Sequence, residues 1–244
     1  MSRREGRPVS SVGFGLYSGW LKSLCLGIFL GFCYRILEIA LFYCLRLLLL
    51  PHKDIDLNVK NYFLGATGYG VIATIVLFVL NFFLGALSEE LIFRGYLFQT
   101  LLAVIGRWPT ILTTSSLFAL AHYQTHSPAG LLIVGILGLI LAVLYQRSQS
   151  LWIPIGFHTA NNLTALMLGT VVGFPGRGEE WLRAISTTFI ALILILGVVK
   201  YLKPATEMEA LWQQYVPIAQ PWAQLKAWWA RRKQAARDQT PPVS

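Results

Sequence analysis

Several uninterrupted apolar stretches, each long enough to cross a bilayer as a helix, fill the middle of this chain and leave few folds open to it. A spanning helix needs roughly 20 residues to cross a ~30 Å hydrocarbon layer. Apolar runs lie near residues 24–50, 63–87, 129–146, 150–172 and 184–202, with a shorter one near 110–122. A more polar helical segment, Ser88 to Ile105, follows the second run and ends near Gly106 and Pro109. Lipid offers no water to backbone N–H and C=O groups, so a spanning chain must be helical or a closed barrel. The runs are continuous rather than alternating, which predicts an all-α, polytopic transmembrane bundle. Six spans are legible, with a seventh or eighth if the Ser88 helix crosses fully or an apolar run divides. Only 13% of the 244 residues are charged, against about 25% in a soluble domain.

Lysine and arginine number 20 against 11 aspartates and glutamates, a balance that by itself would suit nucleic acid. Their placement excludes that partner, because no basic motif of a nucleic-acid-reading fold is present. Arg3, Arg4 and Arg7 sit near one end and Lys226, Arg231, Arg232, Lys233 and Arg237 near the other, as cytoplasmic flanks do. Both termini are therefore expected in the cytoplasm, on a plasma or inner membrane. The three cysteines, Cys25, Cys33 and Cys44, all fall in the first apolar run and read as small apolar residues. Three parts are predicted: a basic arm, first span and loop over 1–62, a core over 63–203, and a basic tail over 204–244 with Trp212, Trp222, Trp228 and Trp229. The tail has the composition of an interfacial helix lying on the bilayer. Within the first span, Arg35 and Glu38 stand three residues apart, close enough to pair on one helical face.

Three short motifs place chemistry inside apolar surroundings. In Ser88-Glu89-Glu90-Leu91-Ile92-Phe93-Arg94, Glu90 and Arg94 share a helical face and can pair, while Glu89 points about 100° away and is left available. A free carboxylate in such a place is a general-base candidate. In Phe118-Ala119-Leu120-Ala121-His122, Phe118 and His122 share a face, and the imidazole can orient a water. In His158-Thr159-Ala160-Asn161-Asn162, His158 and Asn162 share a face and can donate hydrogen bonds to a developing oxyanion. Asn161 is turned aside and reads as a polar contact between helices. His126, in the following polar loop, reads as solvated.

The order EExxxR, FxxxH, HxxxN, each on its own membrane helix, together with SLWIPIGFHTANN, resembles the CAAX protease and bacteriocin-processing family, also called the type II CAAX endopeptidase or Abi family, over roughly residues 80–200. The resemblance implies an all-helical fold with a conical membrane cavity and peptide hydrolysis by a glutamate-activated water, with no cofactor and no essential metal. It implies Glu89 as base, His122 positioning the same water, His158 and Asn162 as oxyanion hole, and Glu90, Arg94 and Phe118 in support. The substrate would be a membrane protein or lipidated peptide. Two rivals stand beside this reading. Glu89, His122 and His158 form a set that zinc accepts, and a chain with this fold can serve as a silent immunity or scaffold protein.

Overall fold

The computed structural model describes residues 12–50, 69–172 and 179–215, all of it helix and turn. Eight α-helices and one π-helix follow in order: α1 (Trp20–Leu49), α2 (Tyr69–Glu90), the π segment (Leu91–Phe98), α3 (Gln99–Ile105), α4 (Arg107–Ala121), α5 (Pro128–Ser148), α6 (Trp152–Val172), α7 (Glu180–Tyr201) and α8 (Thr206–Tyr215). Among the described residues four stretches are long and apolar enough to cross a membrane: Trp20–Leu49, Ile72–Ile105, Pro128–Ser148 and Glu180–Tyr201. The protein is a polytopic helical membrane protein. Its outer surface fits that solvent, since Leu48, Val104, Leu112 and Leu196 are each at least 60% exposed.

One boundary differs from the sequence expectation. The polar segment from Ser88 is no separate helix, because α2, the π segment and α3 run on without a break as far as Ile105. The end at Gly106 stands, where a positive φ of 77° stops the helix. A π-helix bonds i to i+5, is rare and is frequently found at functional sites; here it begins directly after the paired glutamates.

The helices assemble around the packing of α1 on α6. Glycines set that approach: a Cβ on Gly27 would lie 2.1 Å from the Ile153 carbonyl oxygen, one on Gly31 2.4 Å from that of Phe157, and one on Gly156 2.4 Å from that of Leu24. Small residues bring backbones close where lipid supplies no hydrophobic drive between helices. The bundle has two ends. At the first, the strap before α1 grips the α5–α6 turn: Leu151 N donates to Gly13 O (2.9 Å), Tyr145 Oη to Val12 O (3.0 Å) and Trp152 Nε1 to Gly15 O (2.9 Å). The end of α7 joins there through Arg147 and the Val199 carbonyl. At the second end, Arg46 of α1 pairs with Glu179 before α7 (3.0 Å), and Ser127 before α5 donates to Glu180 of α7. Ser127 also caps α5, accepting from Gly130 N at 3.1 Å, as N-cap serines do.

Arg35 and Glu38 form the expected buried pair (2.9 Å), and Arg183 (3.2 Å) and Thr187 (3.2 Å) of α7 join them on Glu38. Trp212 departs from the expectation for the tail. It is 4% exposed and packs edge-on against Tyr145 at 5.3 Å, so α8 is docked on the protein core. Trp222, Trp228, Trp229 and the basic residues after them lie outside the described residues.

Candidate active site

The seven singled-out side chains come from α2, the π segment, α4 and its following turn, and α6, and the fold brings the two motif histidines to one carboxylate. Glu90 and Arg94 are both wholly inaccessible, with Arg94 Nη1 3.1 Å from Glu90 Oε1. The other arm of the guanidinium donates to the Gly138 carbonyl of α5 at 2.9 Å, and its plane sits over the Phe118 ring at 4.7 Å. A charge at this depth costs at least ~2.5 kcal/mol unless it is matched. Arg94 is matched by an acid, a carbonyl dipole and a π face at once.

Glu90 Oε1 has a second partner, Nδ1 of His158, at 3.0 Å. An ionised carboxylate only accepts, so His158 donates from Nδ1 and turns Nε2 away from Glu90. His122 is set by the same logic: its Nδ1 lies 2.8 Å from the Phe118 carbonyl, which can only accept. The Nε2 atoms of both rings then face Glu89, whose Oε2 is 4.0 Å from His122 and 3.9 Å from His158. This Oε2 is buried and makes no hydrogen bond within the described protein. The two adjacent glutamates thus have different environments: Glu90 is wholly inaccessible and bonded through Oε1 to both Arg94 and His158, while the Glu89 side chain is 36% accessible and lacks a strong partner.

Phe118 holds the histidines in place. Its ring lies 4.9 Å from that of His122 and 5.8 Å, edge-on, from that of His158, with Phe93 at 5.1 Å on another side. Asn162 is partly buried on the His158 face of α6. Its Oδ1 accepts from Asn161 Nδ2 at 3.1 Å, leaving the Asn162 amide N–H groups as donors. Asn161 is itself only 6% exposed, and this bond orients its neighbour. His126 is exposed as expected, and its ring also meets that of His122 at 5.8 Å.

Glu89, His122 and His158 are spaced too widely for a tetrahedral zinc ion. Tetrahedral zinc with bonds of ~2.0–2.1 Å holds its ligand atoms about 3.3 Å apart, and the separations from Glu89 are 4.0 and 3.9 Å. Among the described residues no three histidine, cysteine, aspartate or glutamate side chains are gathered as a metal site requires. The spacing instead suits a molecule of water size bridging Oε2 and a ring nitrogen.

Two participants had no sequence signal. The Gly138 carbonyl belongs to an apolar run that gives no hint of its role, and the strap at Gly13 and Gly15 reaches Leu151 and Trp152 from more than 130 residues away in the chain. Comparison with curated proteins and with solved structures finds no match. The stretch that holds every one of the seven side chains, residues 71–164, matches the model of the type II CAAX prenyl endopeptidase Rce1-like family.

Proposed function

We propose that this protein is an intramembrane endopeptidase that hydrolyses a peptide bond of a membrane-associated or lipidated protein through a water activated by Glu89. The family match supports a CAAX-type protease in coarse terms. The observation that carries the finer reading is the convergence of both Nε2 atoms on Glu89 Oε2 at 4.0 and 3.9 Å. A water there gives one proton to Glu89 and directs the other to Nε2 of His122, so its lone pair faces the scissile carbonyl carbon. The new C–O bond makes a tetrahedral oxyanion, stabilised by the Asn162 amide and by Nε2–H of His158. In that role His158 carries a proton on each ring nitrogen, its charge held between Glu90 and Glu89. As the C–N bond breaks, Glu89 returns the proton to the leaving amine. No cofactor takes part in these steps.

Both termini belong in the cytoplasm, with the bundle in a plasma or inner membrane; the basic flanks support that orientation. The test compares membrane proteomes of cells making the wild-type chain with those making His122→Ala at equal levels, looking for new peptide termini. The account expects termini present only with wild type. Identical terminus sets from both would point to a silent scaffold of the same fold.

A further inference from the structure

The seam between α1 and α7 is closed along one half and open along the other. The two helices run antiparallel, so the start of α1 lies beside the end of α7. In the half toward the second end polar groups tie them: Arg183 (3.2 Å) and Thr187 (3.2 Å) of α7 reach Glu38, and Arg46 reaches Glu179 just before α7 at 3.0 Å. In the half toward the first end the facing side chains are apolar, and the helices leave a groove of about 460 Å³ whose walls include Leu26, Leu30, Ile193, Gly197, Tyr201 and Leu202. The glycines differ in the same way. A Cβ on Gly27 or Gly31 would strike the α6 backbone, whereas one on Gly197 meets nothing within 4 Å.

Cations stand at the mouth of this groove. Lys200 Nζ is 5.0 Å from the centroid of the Tyr201 ring, and that ring is part of the groove wall, which places the ammonium group at the groove's end. Lys22 comes four residues before Leu26, on the same face of α1, and Lys203 follows Leu202 directly. All three lysines are exposed, and none has an ion-pair partner among the described residues. The acids of the bundle are engaged elsewhere, Glu38 and Glu179 with arginines of α1 and α7 and Glu90 with Arg94; the acids that follow in the chain, Glu207 and Glu209, belong to α8.

An apolar groove between spans with unpaired ammonium groups at its end is complementary to a lipid, the acyl chain along the groove and the head group at its mouth. Charge decides which lipid. A zwitterionic head group brings its own cation toward the three lysines, and an anionic one does not. We propose that the α1–α7 groove binds an anionic diacyl glycerophospholipid, with one acyl chain against Gly197 and the phosphate among Lys22, Lys200 and Lys203. Tyr201, 73% exposed, places its amphipathic ring at the level where tyrosines meet the head groups. The lipid completes the half of the seam that the Glu38 and Arg46 ties leave open. It thereby steadies α1, whose Gly31 packs on the backbone of Phe157, the residue before His158.

The test uses the full chain purified in detergent, stripped of co-purifying lipid and offered equimolar phosphatidylglycerol and phosphatidylcholine with the same acyl chains, with retained lipid counted by native mass spectrometry. Wild type should retain phosphatidylglycerol in preference to phosphatidylcholine. Each lysine near an anionic surface contributes about fivefold, so the triple variant Lys22→Gln/Lys200→Gln/Lys203→Gln should weaken retention by at least about tenfold. Gly197→Trp fills the groove from a position whose Cβ meets nothing within 4 Å, and should abolish retention in protein that still elutes as a single species; Gly197→Leu takes its place if the larger side chain does not fold. Equal retention of the two lipids by wild type, or phosphatidylglycerol retained undiminished by either the lysine variant or the Gly197 variant, would overturn the proposal. None of these substitutions touches the Glu89 site, so the measurement stands independently of peptide hydrolysis.

Discussion

Arg94→Ala removes a wholly buried cation, and the consequence can be worked from its partners. The guanidinium is wholly inaccessible and bonds Glu90 at 3.1 Å and the Gly138 carbonyl at 2.9 Å. Breaking a buried pair by removing one partner costs about 3–5 kcal/mol, because the remaining charge is left uncompensated. The orphaned Gly138 carbonyl adds roughly 1–3 kcal/mol. Set against a total stability of about 5–15 kcal/mol, the loss is large: 3–5 kcal/mol alone lowers the melting temperature by roughly 6–20 °C in a chain of this size. Thermal unfolding in detergent, followed by the fraction surviving size-exclusion chromatography, measures it. Arg94→Lys keeps the charge but has no fork to reach two partners at once, and should fall between wild type and Arg94→Ala. The double variant Glu90→Gln/Arg94→Gln leaves no unpaired charge and should recover much of the stability without recovering activity, since His158 has lost its carboxylate acceptor. A melting temperature for Arg94→Ala within ~2 °C of wild type, less than 1 kcal/mol by the same scaling, would refute the account of the buried pair.

Gly31→Ala places a Cβ 2.4 Å from the Phe157 carbonyl oxygen. Overpacking of this kind costs about 1–3 kcal/mol, and because Phe157 precedes His158, turnover should fall along with melting temperature. Gly197→Ala, where nothing lies within 4 Å of the new carbon, is the control and should change neither. Trp212→Ala should cost about 3–5 kcal/mol as a buried aromatic truncation, while the exposed neighbour Gln213 tolerates alanine, both read by the same unfolding assay. Dialysis against a strong chelator should leave turnover unchanged; activity that disappears with bound zinc and returns with it would favour the metal-dependent rival.

The apolar runs were legible because lipid imposes one rule, continuous helix, on every spanning segment. The separation of Glu89 from Glu90 was legible for a similar reason: helical periodicity alone puts Arg94 beside one and turns the other away. The join at Ser88 was misread because polar residues inside an apolar run look like a boundary, whereas here the π segment continues the helix and the buried partners absorb the charges. Trp212 was misread because composition cannot separate a tryptophan lying on a membrane from one docked on Tyr145. The strap was invisible for another reason, since Tyr145, Trp152 and Leu151 find Val12, Gly15 and Gly13 through tertiary packing alone. The role of Asn161 likewise depended on a rotamer, and no spacing rule would have paired it with the adjacent Asn162.

The most direct test of the water-activating role compares Glu89→Gln with Glu90→Gln, measuring turnover of a cleaved substrate and melting temperature on the same reconstituted samples. General-base catalysis contributes roughly 10²–10⁴-fold. The account predicts a loss of that order in Glu89→Gln with an unchanged melting temperature, because Glu89 Oε2 makes no hydrogen bond among the described residues, and a fall in both quantities in Glu90→Gln, whose Oε1 holds Arg94 and His158. Retained turnover in Glu89→Gln would contradict the assignment, as would a melting temperature that drops as far as that of Glu90→Gln.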